Sequence, residues 1–343
     1  LLVRLKEREL KSIIVGGGAN SIFGAHIFGE IEDKRFFADG RKITTRADLY
    51  FDSGQGEISQ GVASILYTHP EVWNSRASLF SDLRFQKLTS LTQEFNVERL
   101  SSTNSLNFPL SSSATTSLGY TLSSEAITDV PNDVRLGNYD AGSVLFGFIG
   151  GTTNFDFRDQ PLRPHSGVTT SLDYKLADPM LLSQPSFYML NSRTTGLLPL
   201  TDRLTFAGAT RWGWADSFRN NEIVPISQRF YLGGRLTVRG FRENSLGPRG
   251  SAGHVIGGEV VQNNSFELQY LATNDIETHI FWDTGNMALQ SNISELFHYR
   301  TSAGIGTRYL SPIGPIGFDL GFPLDERKGE PSVRVHFNIG SQF

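Results

Sequence analysis

The sequence predicts an all-β protein, a single transmembrane antiparallel β-barrel of about 16 strands. Three observations point to this fold. The 343 residues include 35 Gly, 25 Phe and 10 Tyr, with little helical periodicity. No apolar run approaches the roughly 18 residues that a membrane helix needs. Many short segments instead alternate between apolar and polar residues, which is typical of strands with one apolar face.

The alternation is clearest in the C-terminal segment VRVHFNIGSQF. Val333, Val335 and Phe337 take one face, and Arg334 and His336 take the opposite face. The segments GPIGFDLGFPL, RLTFAGATRWGW and ASLFSDLRFQ repeat the pattern. A soluble sandwich would turn its apolar faces inward. In a membrane barrel the polar faces line a lumen and the apolar faces contact lipid.

Turn-forming Gly, Pro, Asn and Asp separate the alternating segments and set the ends of the predicted strands. The first eight strands are predicted at 10–21, 22–37, 42–53, 57–68, 75–87, 90–102, 115–127 and 143–158. The second eight are predicted at 166–177, 187–198, 203–216, 258–272, 276–287, 299–311, 314–325 and 331–343. The even number of strands agrees with that of bacterial barrels.

The connections fall into two sets. Those after even-numbered strands are mostly short, such as FADGRK, PLTD, ATND and SPIG, although STNSLNFPLSSS is longer. Those after odd-numbered strands include TDVPNDVRLGNYDAG, ADPMLLSQPS and MALQSNISELFH. This asymmetry is typical of the bacterial outer membrane, where long loops lie outside and both chain ends are periplasmic. The longest connection, 217–257, needs a functional explanation for its length.

Composition and motifs argue against several other functions. A net charge of -4 creates no field that attracts a polyanion, so no nucleic-acid partner is expected. Cysteine is absent and the seven histidines show no metal-ligand spacing, so neither a metal nor a cofactor is expected. FWDTGN contains the DTG of an aspartic protease but lies in an alternating strand. GGGANS lacks the GK[ST] of a phosphate loop. The sequence therefore predicts no enzyme.

The second half of the chain resembles a known family. PISQRFYLGGRLTVRGFRENSLGPRG is followed by FELQY, IFWDTGN, GIGTRYLSPIGPIGFDLGFPLD and VHFNIGSQF. These motifs, in this order, resemble the outer-membrane insertase superfamily, which contains BamA, TamA and the two-partner-secretion transporters. The resemblance is dense over 199–343 and weak before it. The sequence around FWD and the FNIG ending are most similar to BamA, and TamA shares nearly every motif.

The resemblance implies a domain organisation and a site. Family members carry periplasmic POTRA repeats before the barrel, so residues 1–343 are expected to be the barrel domain with such repeats upstream. In this family the loop after the eleventh strand folds back into the lumen. Arg239, in the VRGF motif with Gly240 and Phe241, is then expected to meet Asp283 and Glu267 on the lumen wall. Strand parity independently places both acids inward.

The residue types of this loop fit an ion pair that holds the loop against the lumen wall, which we call the lock. A guanidinium fork matches carboxylates better than the single ammonium of Lys does. Gly233 and Gly234 allow tight turns beside the motif, and Pro248 marks a further turn. The alternative is that the arginines are solvated on an external loop.

A second site is predicted where the two ends of the barrel meet. The first strand, LKSIIVGGGANS, contains three successive glycines, which weaken a strand through entropy and lost packing. Beside a strongly patterned last strand, this weakness predicts a seam that can part. The alternative is that the glycines form a bulge or relieve crowding. The predicted seam residues are Gly16, Gly17, Gly18, Phe337, Gly340 and Phe343.

The resemblance also implies a function. The chain is expected to insert and fold other β-barrel proteins in the outer membrane, by opening the seam and offering the edge of its first strand. The partners implied are unfolded outer-membrane protein clients, the lipid bilayer, and accessory lipoproteins or an inner-membrane-anchored protein. Two alternatives within the family are a TamA-type autotransporter assembly factor and a two-partner-secretion-type protein-translocating pore. A passive porin is the third alternative.

Overall fold

The computed structural model describes residues 9–20, 24–37, 40–51, 58–73, 75–89, 95–160, 164–219, 222–311 and 314–339. Within these ranges sixteen strands form one antiparallel sheet, in which each strand pairs with the next along the chain. The strands are β1 (Lys11–Asn20), β2 (Gly24–Asp33), β3 (Lys42–Phe51), β4 (Ile58–His69), β5 (Ser78–Leu88), β6 (Asn96–Ser111), β7 (Ala114–Thr128), β8 (Gly142–Asp156), β9 (Gly167–Ala177), β10 (Phe187–Pro199), β11 (Leu204–Ser217), β12 (Val260–Leu271), β13 (Ile276–Ala288), β14 (Arg300–Ser311), β15 (Gly314–Pro323) and β16 (Arg334–Ile339).

The sheet bends round until β16 comes to lie beside β1. The predicted fold class, an all-β barrel of sixteen antiparallel strands, is therefore confirmed. Each of the other neighbouring strand pairs forms a backbone ladder, whereas the described residues of β1 and β16 form none. In the described part of the chain, short 3₁₀ helices occur at Pro179–Leu181, Ile226–Gln228 and Gln290–Phe297. None of the helices described is long and apolar enough to cross a membrane.

The two faces of the sheet differ as the alternation predicts. On β15, Phe318 and Phe322 are 52% and 41% exposed, whereas Asp319 between them is 1% exposed. On β13, Trp282 is exposed and its neighbour Asp283 is buried. The apolar face is therefore the outer one, and the polar face lines the lumen.

The expectation of a long connection after the sixth strand is wrong. STNSLNFPLSSS belongs mostly to β6, which continues to Ser111 and meets β7 after only two residues. β5 pairs with β6 no further than Asn107, so Pro109 lies where β6 has a free edge. Proline is tolerated on such an edge, and the register shifts beside it. The serine-rich composition therefore conceals a strand.

The connection between β11 and β12, residues 218–259, is called here the lumen loop. It contains the 3₁₀ helix Ile226–Gln228 and backbone bridges between Phe230 and Gly258 and between Leu232 and Leu246. Its apolar side chains are buried in one core with inward-facing residues of the wall. These loop residues are Val224, Ile226, Phe230, Leu232, Val238, Phe241, Leu246, Val255 and Ile256. The wall residues lie toward the strand ends that carry the long loops, so the lumen loop fills the outer part of the lumen.

Candidate functional site

The predicted site lies where the lumen loop meets the inner wall. Arg239 is 0% exposed. Its Nε and Nη2 donate to the two carboxylate oxygens of Asp283, each at 2.8 Å, and its Nη1 donates to Oε1 of Glu267 at 2.5 Å. The Nη2 also donates to Oγ of Ser265 at 3.2 Å. The structure thus brings together the arginine and both acids named from the sequence. The bidentate geometry is one that a guanidinium can make and an ammonium cannot.

Strand register explains why these side chains converge. Ser265 on β12 lies directly opposite Asp283 on β13, and Glu267 lies opposite Phe281. All four residues have the inward parity of their strands. The guanidinium carbon of Arg239 lies 3.5 Å from the centre of the Phe281 ring, so a cation–π contact covers one face of the charge.

Three further inward-facing residues extend this cluster. Nη2 of Arg308 donates to both carboxylate oxygens of Glu267 at 2.9 Å. His279 Nε2 lies 2.8 Å from Oδ1 of Asp319, whose Oδ2 lies 3.8 Å from Nη1 of Arg239. We call this cluster the Arg239 network. Its members are Arg239, Glu267, His279, Asp283, Arg308 and Asp319. In a buried network of this kind, every charge depends on its partners.

The VRGF motif also rests on the last three strands. Nε2 of His336 on β16 donates to the carbonyl oxygen of Arg239 at 2.6 Å. The backbone N–H of Gly240 donates to Oγ of Ser302 at 3.1 Å. A Cβ atom at Gly240 would lie 2.5 Å from Cβ of Ser302, so only glycine allows this approach. Phe241 is buried, with the Arg300 guanidinium 4.6 Å from its ring centre.

The predicted turn residues lie near this site. Gly233 and Gly234 have φ values of 107° and 96°, in the region that favours glycine. Their turn brings the chain toward Arg242 and Glu243, against which a side chain at either position would clash. The carbonyl oxygen of Pro248 accepts the N–H of Ile256 at 3.1 Å, which closes the outer turn of the loop.

The seam glycines lie in a regular ladder. Gly16 pairs with Phe28 and Gly18 pairs with His26, with Gly17 between them, so the bulge alternative is wrong. A Cβ atom at Gly16 would lie 2.6 Å from the Phe28 ring, and one at Gly18 would lie 2.6 Å from the His26 ring. The glycines therefore relieve crowding by β2.

On the other side of the predicted seam, Phe337 packs on Phe318, with ring centres 5.0 Å apart. Gly340 and Phe343 lie outside the described residues. Nothing in the described range of β16 interrupts its pairing with β15, which runs from Ile339 to Arg334.

Sequence reasoning did not find a second buried ion pair. Nη2 of Arg229 donates to both carboxylate oxygens of Asp140, at 2.9 and 2.6 Å, and both side chains are 0% exposed. Asp140 belongs to the connection between β7 and β8 and also accepts the N–H of Ile226 at 2.7 Å. Neither loop has a strand parity that could have indicated which side chains point inward. The pair joins the lumen loop to a second outer loop.

A third contact joins the same two loops nearer the surface. Asp133 Oδ1 lies 2.8 Å from Nδ1 of His254, and Asp133 Oδ2 accepts the N–H of Ala252 at 2.9 Å. Desolvation acts to raise the pKa of Asp133, but the hydrogen bonds with His254 and Ala252 hold it below its ordinary value. The ionised carboxylate is therefore the form that connects the loops. No group of His, Asp and Glu in the described ranges is arranged to hold a metal ion.

Two proteins of known name are similar to this chain in sequence. The outer membrane protein assembly factor BamA of Nitratidesulfovibrio vulgaris is 24% identical over 350 residues, covering 100% of this chain and 43% of that protein. The sorting and assembly machinery component 50 homolog of Bos taurus is 25% identical over 229 residues, covering 60% of this chain and 47% of that protein. The chain thus spans less than half the length of these relatives.

Solved structures show the same barrel. BamA from Haemophilus ducreyi lacking POTRA domains 1–3 has a TM-score of 0.82 at 20% identity, covering 97% of this chain and 70% of that one. CdiB from Escherichia coli has a TM-score of 0.61 at 13% identity, covering 97% of this chain and 63% of that one. The predicted outer-membrane location and family resemblance are confirmed. Residues 40–343 match the Omp85 superfamily domain, and the chain therefore belongs to the Omp85 superfamily.

Proposed function

We propose that this chain is the barrel domain of an outer-membrane protein assembly factor that inserts and folds other β-barrel proteins through a lateral seam between β1 and β16. One observation carries the proposal. β1 and β16 lie side by side, yet their described residues form no backbone ladder, whereas every other neighbouring pair does. Unpaired backbone groups on neighbouring edges are a template to which an incoming strand can add.

The pairing of the last strand supports a seam at this position. β15 pairs with β14 over ten residue pairs, from Ser302 opposite Pro323 to Ser311 opposite Gly314. Among the described residues it pairs with β16 over six, from Ile316 opposite Ile339 to Gly321 opposite Arg334. A shorter ladder holds its strand less firmly, because each pair contributes hydrogen bonds and side-chain contacts. In the part of the chain that the structure describes, β16 therefore has the shortest ladder to hold it.

The filled lumen favours a sideways route for the client. Phe230, Leu232 and Val238 of the lumen loop are at most 5% exposed and pack against the wall. A polypeptide passing along the axis would have to displace this apolar core. A client that adds to the seam leaves it in place. The free energy of client folding would drive the reaction, without nucleotide or covalent catalysis.

The partners of this function are proposals of the same kind. The clients are unfolded outer-membrane proteins, and the lipid bilayer is the second partner. The relative from Nitratidesulfovibrio vulgaris is named an outer membrane protein assembly factor, and this chain covers 43% of its length. We propose that POTRA repeats precede the barrel, and that accessory lipoproteins or an inner-membrane-anchored protein act with it. A TamA-type autotransporter assembly factor is the nearest alternative.

A protein-translocating pore of the two-partner-secretion type is the second candidate, supported by the fold similarity to CdiB. The lumen loop would then be a plug that moves to open the lumen. The two candidates differ in the route of the substrate, which is sideways through the seam or along the axis.

A reversible lock across the seam separates these routes. Cysteines are introduced in several registers between residues 12–17 of β1 and 334–337 of β16, because a disulfide needs Cα atoms within about 7 Å. The sequence contains no native cysteine that could compete. A disulfide between Ile305→Cys and Leu320→Cys, opposite on β14 and β15, serves as the matched control.

The full-length protein with a locked seam is expected to fold and reach the membrane but to fail in client insertion. Reductant should restore the activity, and the β14–β15 control should be active throughout. The measurement is the folded fraction of a client barrel in proteoliposomes, with the fraction of cross-linked protein scored on the same sample. Full insertion by protein whose seam is demonstrably closed would refute the insertase and favour the pore.

A further inference from the structure

The connection between β9 and β10, residues 178–186, lies on the outer face of the barrel and is called here the flap. On β8, Phe146 points inward and is 0% exposed in the core shared with the lumen loop. Leu145, Gly147 and Ile149 therefore belong to the outward face. Leu145 and Ile149 are 36% and 42% exposed, whereas Gly147 between them is buried. A segment of the protein must therefore cover the outer face of β8 at Gly147.

The covering segment is the flap, which also bonds to β7. A Cβ atom at Gly147 would collide with the carbonyl oxygen of Leu181, so only glycine allows this approach. Tyr120 on β7 lies opposite Ile149 and shares its outward face. The Oη of Tyr120 donates to the same carbonyl oxygen at 2.8 Å. The backbone of the flap is thus fixed against two neighbouring strands, on the side of the barrel that faces lipid.

The backbone donors of the flap are satisfied within the protein. Pro179 and Pro185 carry no N–H. The N–H of Met180 donates to Oδ1 of Asp178 at 2.9 Å. The next four N–H groups donate to carbonyl oxygens at 2.8 to 3.2 Å, and these pairs are Leu181 to Asp178, Leu182 to Pro179, Ser183 to Asp178 and Gln184 to Leu145. A segment in contact with lipid needs such internal partners, because lipid offers none.

The side chains at the tip of the flap are apolar and exposed. Met180 is 92% exposed and Leu182 is 61% exposed. Asp178 is the one charged residue of the flap, and its carboxylate turns back to the N–H of Met180. The outer connection between β13 and β14 instead exposes the charged or polar side chains of Glu295 and His298, at 54% and 71%. The tip of the flap thus has the surface chemistry of a lipid contact and differs from a solvated loop.

The backbone of the flap is strained at Leu182. Its φ and ψ values are 66° and 20°, in the left-handed region that a bulky residue rarely adopts. Glycine would adopt this conformation without strain. Strained residues of this kind are concentrated at functional segments. Leu182 therefore exposes an apolar side chain from a backbone conformation that disfavours it, which suggests a use for that side chain.

The flap lies beside a row of aromatic residues on the outer face. Leu176 on β9 pairs with Ile149 on one side and with Tyr188 on the other. The Nε1 of Trp214 donates to Oη of Tyr188 at 3.3 Å. Tyr120, which bonds to the flap, continues this row because it pairs with Ile149. Trp and Tyr are enriched where a barrel crosses the membrane–water interface, so the row marks the outer interface.

We propose that the flap is a lipid anchor, which inserts Met180 and Leu182 among the acyl chains of the outer leaflet. The tip of the flap is continuous with the lipid-facing surface formed by Ile149 and Leu176. Transfer of its apolar side chains from water into hydrocarbon is favourable. The satisfied backbone donors remove the main cost of that transfer. This inference does not depend on whether the barrel is an insertase or a pore.

The test measures the surroundings of the flap in folded, full-length protein. Single-cysteine variants are labelled with the fluorophore NBD and reconstituted into phosphatidylcholine vesicles, and the barrel has no cysteine of its own. Met180→Cys reports on the flap. Leu118→Cys, on the outward face of β7 and 49% exposed, is the reference in lipid. Ser251→Cys, exposed in the lumen loop, is the reference in water. Lipids with a doxyl group near the headgroup or deep in the acyl chain quench from the bilayer, and iodide quenches from water.

The label at position 180 is expected to behave like the reference in lipid. Doxyl lipids should quench it, the shallow doxyl group more strongly than the deep one, and iodide should quench it much less than the label at position 251. Quenching by iodide as strong as at position 251 would place the flap in water and overturn the proposal. Protection from both kinds of quencher would also overturn it, because another protein or a second copy of the barrel would then cover the flap.

A second variant tests whether the seat on β8 holds the flap in lipid. Gly147→Ala places a Cβ atom where the carbonyl oxygen of Leu181 now lies, so it should lift the flap from β8. Quenching of the label at position 180 by doxyl lipids should then fall and quenching by iodide should rise. Gly196→Ala on β10, where a Cβ atom would lie 3.7 Å from the side chain of Val168, is the control and should change neither. Unchanged lipid quenching in folded Gly147→Ala would overturn the role of this seat, and the label in the parent barrel tests the lipid contact even where this variant does not fold.

Discussion

The chemistry of the lumen loop depends most on one residue, Arg239. Its guanidinium is fully buried and satisfied by Asp283, Glu267 and Ser265, and its carbonyl accepts from His336. Removing Arg239 leaves Asp283 buried and charged without its cation, although Glu267 keeps Arg308, and an unmatched buried charge costs more than the net contribution of the pair. The residue is therefore a sensitive probe of whether the loop is seated.

We predict that Arg239→Ala destabilises the folded barrel by about 3–5 kcal/mol, as one-sided removal of a buried pair typically does. Arg239→Lys should recover only part of this loss, because one ammonium cannot replace the fork to Asp283. The measurement is the melting temperature of the folded band on a semi-native gel. Arg84→Ala, which removes an ion pair whose arginine is 49% exposed, should shift the melting temperature little. A melting temperature unchanged in both Arg239 variants would contradict the proposed lock.

Part of this chemistry could be predicted from the sequence. Asp283 and Glu267 lie in alternating strands, so parity indicated that they point inward before any contact was known. Arg229 and Asp140 are just as deeply buried, but both lie in irregular connections, where no period relates sequence position to direction. They are also 89 residues apart in the sequence. Their pairing depends on how two loops pack, which local sequence does not determine.

At the scale of elements, the strands beneath the lumen loop are shaped by glycine. Gly321 on β15 lies under Arg239, and a Cβ atom there would lie 2.6 Å from the carbonyl oxygen of Arg239. That oxygen accepts a hydrogen bond from His336, and the next residue, Gly240, donates its N–H to Ser302. The oxygen therefore cannot move aside without breaking these two hydrogen bonds. The absence of a side chain at Gly321 thus leaves the space that the lumen loop occupies on β15.

We therefore predict that Gly321→Ala dislodges the VRGF motif while leaving the sheet intact. Proteolysis within the lumen loop should become faster, and the melting temperature should fall, with an unchanged β-sheet signal in circular dichroism. Gly29→Ala on β2, where a Cβ atom would meet nothing within 4 Å, is the matched control and should be silent. If Gly321→Ala behaves like the control, the close approach of the loop to β15 is wrong.

The ends of the strands are harder to predict from the sequence than their positions. The apolar and polar alternation located the strands of the described ranges, because one face of each meets lipid. The exception, β6, continues through Ser- and Pro-rich residues that are typical of turns. Its extension is fixed by its neighbour β7, whose pairing reaches Ala114 opposite Ser111. Tertiary pairing therefore overrides local propensity at this hairpin.

At the scale of the whole molecule, the outer end of the barrel is held together by contacts between loops. One Nη2 of Arg229 in the lumen loop donates to both carboxylate oxygens of Asp140 in the β7–β8 connection, and Asp133 and His254 join the same two segments nearer the surface. The lumen loop is thus fixed at two depths, by Arg239 at the wall and by Arg229 near the outer mouth.

We predict that Asp140→Ala loosens the outer mouth without releasing the VRGF motif. The lost partner leaves Arg229 buried and unpaired, so loop protection from protease should fall near residues 222–232 and persist near 239. The double variant Asp140→Leu with Arg229→Met should recover much of the stability, because paired removal leaves no unmatched charge. Equal loss of protection along the whole loop would show that the two anchors are not independent.

The seating of the lumen loop also has a consequence for the order of assembly. The partners of Arg239 lie on β12 to β16, and its most distant contact, with His336, spans 97 residues. Bringing β16 beside β1 instead closes nearly the whole chain, and closing a larger span is slower because more chain entropy is lost first. The lumen loop and the last five strands can therefore form a folded unit before the ring is complete. The earlier strands then close around a loop that is already inside.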